Sequence, residues 1–275
     1  MEQKQLVRKA AKSAPVSRPA APRIAAPAVD CAFRIMEFLA AQPHGAGVSQ
    51  IARALDISKS SCFNVMSTLL VCEALIKDPR HAVWRLGPKL VKLGTAARRG
   101  YSHRNALRHA VQGLVDQFGL TCLVGQVLAN HEGIVVIDRV LPRARHADVV
   151  TPPIGEVYPL TAPAMGRAVL ALLDDDEALL VASGTQDRNK AESRVALLGK
   201  LADIRKRGYA TSLEEYEPTT HAVACVVPHG GNEPGLVLCL VGHRQKLPSG
   251  RMPAIARALI ALSRDLPQDL LTSLQ

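Results

Sequence analysis

Residues 48–71 read VSQIARALDISKSSCFNVMSTLLV, and the architecture of the first third of the chain turns on them. Ile51, Ala52 and Leu55 recur at helical spacing, so a short helix is expected there, with Ser49 as its N-cap. Asp56 then falls in a tight turn of the kind that requires a left-handed residue, a conformation Asp tolerates. Ser58 is placed to cap a second helix from Lys59 to about Val71, with Cys62, Val65, Met66, Leu69 and Leu70 facing inward. Its opposite face carries Lys59, Ser60, Ser61, Phe63, Asn64 and Ser67. Two short helices about a tight turn, the second with a small, polar and N-terminally basic outer face, make a helix-turn-helix. Its second helix is the one that enters a DNA major groove, so Ser58 and those six residues are candidate DNA contacts. Among them Asn64 suits a paired contact with an adenine edge.

Working outward, Val29, Ala32, Phe33, Met36, Leu39 and Ala40 trace one face of a preceding helix, which Gln42-Pro43-His44-Gly45 ends. On the other side, residues 74–77 and 82–86 flank the turn Asp78-Pro79-Arg80-His81, which predicts a hairpin. Arg80 and His81 at its tip are placed to meet a phosphate backbone, as a wing does. Residues 28–88 therefore read as a winged helix-turn-helix, and residues 89–104 as a basic amphipathic linker helix carrying Leu90, Leu93 and Ala97. Residues 1–27 are rich in Ala, Pro, Lys and Arg and too poor in large apolar side chains to order themselves. Such a tail suits a basic arm on DNA, a segment with no role, or an organelle transit peptide.

Charge follows the same division. The 275-residue chain carries +10, and its first 100 residues hold 16 Lys and Arg against 6 Asp and Glu, while the remainder holds 18 of each. A basic head on a neutral body suggests a polyanion-binding module joined to a body with another task; a solvated basic face is the plainer alternative. With 48% hydrophobic residues, wholesale disorder is excluded. There is no uninterrupted apolar run of about 18 residues to cross a membrane, and no apolar core of a secretory signal. Cys31, Cys62, Cys72, Cys122, Cys225 and Cys239 form no C-x-x-C and lack a His at ligand spacing. That argues for a reducing, cytoplasmic setting without a metal site or disulfide framework. No G-x-S-x-G, H-E-x-x-H, phosphate loop or G-x-G-x-x-G occurs, so the expectation is a non-enzyme without a cofactor.

Residues 105–275 read as an α/β sensor-like domain: a helix at 105–119, strands at 121–128 and 133–140, helices at 164–173 and 195–207, strands at 222–228 and 235–242, and a terminal helix at 252–266. Asp174-Asp175-Asp176 caps a further helix rather than holding a metal. Glu214, Glu215 and Glu217 lie in a loop-like, solvated stretch. The turn at 161–166 opens a helix, and its N–H groups either favour an anionic ligand group or merely start the helix.

Four segments in order now carry a resemblance: Val48–Ser61, Arg85-Leu86-Gly87-Pro88, the run PLTAPAMGRA at 159–168, and Arg207-Gly208-Tyr209-Ala210. From about residue 28 to about 265 the chain resembles the IclR family of bacterial transcription regulators. The resemblance implies a winged helix-turn-helix joined to a GAF-like effector-binding domain of mixed α+β or α/β class, acting on operator DNA as a homodimer or homotetramer. It places an effector pocket at Val150, Tyr158, Ala164, Met165, Ser212, Ala222, Cys239 and Val241. Relative to members that bind small hydroxy- or keto-acids, an acid is replaced by Ser212, a thiol by Ala222 and hydroxyls by Cys239 and Val241. The glycine implied at Thr219 is missing too. Those departures point to a small organic acid with more apolar bulk, an aromatic acid among them. Phe63 and Asn64 stand where His-Arg is common. The second reading is a small-molecule-binding protein or enzyme whose basic head is only an interaction module.

Overall fold

The computed structural model describes residues 24–78, 81–100, 104–128, 133–143, 149–184, 194–228 and 235–266. They form two compact units that divide after Ala96. The proposed tail lies outside the described residues up to residue 23, and the remainder is shorter than expected, because Pro27 already opens helix α1 (Pro27–Ala40). A proline in the first turn loses no hydrogen bond, since that N–H has no intrahelical partner.

Helix α1 buries Ile35 and Leu39, while Val29 and Phe33, expected inside, are 55% and 58% exposed. Its apolar residues form two overlapping stripes, and packing against α3 (Lys59–Val71) and β2 (Trp84–Leu86) selects the one through Ile35. Helix α2 (Val48–Ala54) begins after Gly47 rather than at a Ser49 cap. The reason lies in the preceding residue: Ala46 exchanges backbone hydrogen bonds with Trp84 at 3.1 and 2.9 Å, so the chain is extended until Gly47 and turns helical before reaching Ser49. Asp56 takes the left-handed conformation at φ 53°, as its turn requires. Ser58 Oγ accepts the Ser61 N–H at 3.0 Å and caps α3. Leu70, expected inward, is 39% exposed at the end of that helix. Strand β1 (Leu75–Lys77) pairs antiparallel with β2, Leu75 opposite Leu86, and Trp84 seals the core formed by Ile35, Ile51, Met66 and Leu75. At Gly87 a Cβ would strike the Glu73 carbonyl, which accounts for the glycine after the wing. Helix α4 (Pro88–Gly100) follows; Leu93 and Ala97, read as its inner face, are exposed.

The second unit is built on a six-stranded antiparallel sheet in the order β5-β4-β3-β8-β7-β6. Strands β3 (Thr121–Val127), β4 (Ile134–Val140), β7 (Thr220–Val227) and β8 (Leu236–His243) fall where expected. The short edge strands β5 (Val157–Tyr158) and β6 (Ala210–Leu213) carry too few residues to show a period. Central β8 is buried on both faces along nearly its whole length, whereas β4 alternates. Helices α5 (Arg104–Phe118) and α9 (Met252–Asp265) fill one core, in which Val115 replaces the expected Ala110. Helices α6 (Met165–Leu170), α7 (Asp175–Gly184) and α8 (Arg194–Arg207) fill the other. Asp174 caps α7 through the Glu177 N–H at 2.8 Å, and Gly208 closes α8 at φ 80°. Among the described residues no helix is long and apolar enough to cross a membrane.

One ion pair fastens α5 to the sheet. Arg108 reaches both carboxylate oxygens of Asp138 at 3.0 and 3.1 Å, and Asp138 is only 2% exposed. Arg108→Ala strands that carboxylate in the interior and should cost about 3 kcal/mol, the low end for a half-open pair, read from a urea melt. Thr219, where the resemblance implies glycine, holds φ 65°. A β-branched residue is strained there, so Thr219→Gly should stabilise the chain by roughly 1 kcal/mol in the same measurement.

Candidate functional site

The outer face of α3 is open along its length. Lys59, Ser60, Ser61, Phe63 and Asn64 are exposed, Phe63 at 49%, and Ser67 is half-buried with its hydroxyl donating back to the Phe63 carbonyl at 2.8 Å. Ser58 is committed to its cap: besides accepting from Ser61 N–H, its Oγ donates to Ser61 Oγ at 2.8 Å and lies 3.1 Å from Ser60 Oγ. Arg80 lies outside the described residues. His81 is exposed and drawn back to Asp78, with Nδ1 at 3.1 Å from Oδ2 and its N–H donating to Oδ1 at 3.3 Å. An open groove joins the N-terminal ends of α2 and α3 to the wing, with Ser49, Gln50, Lys59, Phe63 and Lys77 along it. Ser49, Gln50 and Lys77 were missed from the sequence, although Lys77 ends a strand facing the groove and was there to be found by its charge. Its ammonium stands 5.5 Å from the Trp84 ring centroid, so the cation rests on the wing while its charge stays in solvent.

In the second unit, a cavity of about 40 Å³ opens between α6 and the sheet. Seven of the eight residues expected to line a pocket meet there: Tyr158, Ala164, Met165, Ser212, Ala222, Cys239 and Val241. Register explains how. Ser212 pairs with Ala222 and Ala222 with Val241, so these three side chains form one row across β6, β7 and β8, with Cys239 beside Leu123 in the adjoining row. Val150 stays off the wall; it is half-buried against the same core, and its carbonyl accepts the Thr121 hydroxyl at 2.6 Å.

The opposite wall depends on the 159–166 turn. Gly166 lies against the Pro159 and Leu160 carbonyls, where a Cβ would collide, and Ala164 holds φ 62° in front of a helix shorter than the expected 164–173. Close approach at Gly166 forces that bend, and it brings Ala164 and Met165 onto the cavity. Pro152, Pro163, Tyr216 and Glu217 also line it and were not foreseen, because they arrive from loops without periodicity; Thr220, at the start of β7, lines it too. Tyr216 is set by ion pairs on both sides of the β6–β7 loop: Glu215 with Arg167 at 2.7 Å, and Glu214 with Arg244 at 3.1 Å. The stretch read as merely solvated is therefore anchored.

The Tyr158 and Tyr216 rings line the cavity with their centroids 4.9 Å apart and their planes tilted by 46°. Burial, then the Glu156 carboxylate, push both phenols above their ordinary range, so they remain protonated donors. Burial likewise raises the Cys239 thiol, leaving it a neutral wall rather than a nucleophile. Among the described residues, Glu217 is the one charged residue lining the cavity, and no Lys, Arg or His lines it.

Comparison with known proteins agrees with both halves. Residues 28–79 match the IclR helix-turn-helix domain, and residues 102–268 match the bacterial transcriptional regulator IclR C-terminal domain. The chain is 27% identical over 216 residues to the HTH-type transcriptional regulator XynR of Escherichia coli, covering 77% of this chain and 83% of that protein. The crystal structure of an IclR transcriptional regulator from Alicyclobacillus acidocaldarius superposes with a TM-score of 0.73 at 23% identity, over 92% of this chain and 100% of that one. An IclR homologue from Microbacterium hydrocarbonoxydans, crystallised with 4-hydroxybenzoate, gives 0.65 at 16% identity, over 90% and 98%. The matches are to regulators, and nothing in them favours the enzyme reading. With its basic helix-turn-helix and its cavity-bearing antiparallel domain, the chain belongs to the IclR family of transcriptional regulators, which bind operator DNA and respond to small-molecule effectors.

Proposed function

We propose that this regulator reads its operator through Asn64 and Phe63 on α3, with Lys59, Lys77 and Arg80 on the flanking phosphates, and that a small organic acid in the α6 cavity modulates it. The observation that carries the effector reading is the convergence of α6, β5, β6, β7 and β8 on one cavity walled by apolar side chains. The acid's carboxylate is assigned to the backbone of the bend at 164–166. No carbonyl among the described residues takes up the Ala164, Met165 or Gly166 N–H groups. An aromatic acid is the favoured class, since Ala222 and Val241 leave the cavity floor apolar and the related Microbacterium protein holds 4-hydroxybenzoate. Benzene occupies an engineered cavity of roughly 150 Å³, so such a ligand needs the 40 Å³ space to widen, with Tyr216 on its exposed loop as the group that gives way. Exposed Val29, Phe33, Val91 and Leu93 supply apolar surface suited to a homodimer or homotetramer in the cytoplasm.

Two experiments test these assignments. Asn64→Ala should narrow the gap between operator and random duplex by about 1–3 kcal/mol, whereas Lys77→Ala should weaken all duplexes alike and lower the salt slope by about 1, both read by fluorescence anisotropy across a salt series. A uniform loss from both variants removes Asn64 as a base reader. Ala164→Leu fills the cavity, so it should abolish the thermal upshift that an effector acid produces in the parent protein. Ligand-free melts separate this from general destabilisation, and an upshift that survives moves the effector elsewhere.

A further inference from the structure

The cavity's polar groups are mismatched to a ligand that is only an acid. Ser212 is 4% exposed and lines the cavity, yet its hydroxyl has no hydrogen-bond partner among the described residues. A buried hydroxyl left so is costly unless something enters to satisfy it. Glu217 lines the same cavity, and among the described residues neither it nor Glu156 forms an ion pair. The other two loop acids, Glu214 and Glu215, are matched by Arg244 and Arg167. Glu156 and Glu217 both lie close enough to Tyr158 and Tyr216 to act on their phenols. A carboxylate without an ion-pair partner repels an anion and attracts a cation or a strong hydrogen-bond donor. Ser212 is the β6 member of the row that crosses β6, β7 and β8, Glu217 sits in the loop that follows β6, and both line the one cavity.

We infer that the effector is bifunctional, carrying an ammonium that Glu217 and Ser212 receive on the tyrosine-lined side of the cavity, in addition to its carboxylate. This rests on the proposal that an organic acid enters the α6 cavity, and it narrows the class from simple acids to amino-substituted ones. Glu217 is then a specificity-determining residue. It selects by removing plain acids as much as by attracting substituted ones.

Two matched ligand pairs test this on the full chain at low ionic strength by titration calorimetry: butyrate with 4-aminobutyrate, and benzoate with 4-(aminomethyl)benzoate. Benzylamine and butylamine serve as cations without the acid. In at least one pair the ammonium-bearing member should bind about tenfold or more tightly than its plain partner, as expected for one charge-assisted contact. Glu217→Gln should erase that advantage by weakening the amino acid and strengthening the plain one, and Glu217→Asp should restore part of it. Ser212→Ala should weaken the ammonium-bearing member alone. If the amines bind, depend on Glu217 and no acid does, the carboxylate assignment fails and the bifunctional effector with it, leaving only a cation subsite at Glu217. If plain acids bind as well as their partners, or Glu217→Gln changes neither, the inference is overturned and the organic-acid reading survives. Failure of every ammonium-bearing probe to bind also overturns it.

Discussion

Strand β8 is hydrogen-bonded on both edges and buried on both faces, and the second unit is organised by that burial. A strand without a wet face must be covered twice, so the sheet needs helices on each side. The two covers differ. On one face α5 and α9 pack long apolar stripes against the sheet, and the Arg108–Asp138 pair holds α5 in place. On the other, the six-residue α6 leaves part of the sheet uncovered, and the uncovered part is the cavity. The cavity is thus an incomplete second core, lined by the alternate residues of strands whose remaining residues build the first.

Strain gathers around that opening. Ala164, Glu214 and Thr219 are non-glycine residues with positive φ, and all three belong to the turn or loop that borders the cavity. Such conformations persist only where surrounding contacts over-determine them. Here the Gly166 approach to the Leu160 carbonyl and the Glu214–Arg244 and Glu215–Arg167 pairs do so. A border held by a few polar contacts is easier to shift than a packed core.

Much of this was legible in the residues. Asp56, Ser58, Asp174 and Gly208 each occupy the turn or cap that their chemistry suits, because these demands are local. The longer helices and the four long strands were legible because periodicity over seven or more residues is a strong signal. Edge strands β5 and β6 were not, and neither was the rotation of α1 that leaves Phe33 outside. Pocket residues came through only where the family resemblance pointed: Ser212, Ala222 and Val241 are far apart in the chain, and strand register alone places them in one row.

By itself the sequence determined the order of elements, the basic head with its recognition helix, the caps and turns, and the family. These depend on residues a few positions apart or on net charge. Tertiary structure alone decided which stripe of α1 is buried, where α2 starts, how short α6 is, and that Tyr216 and Glu217 close the cavity. These outcomes turn on contacts that no local period encodes: Trp84 for Ala46 and Arg167 for Glu215, each dozens of residues away, and Leu160 brought against Gly166 across a bend. A local pattern carries no information about such partners until the chain has folded back on itself.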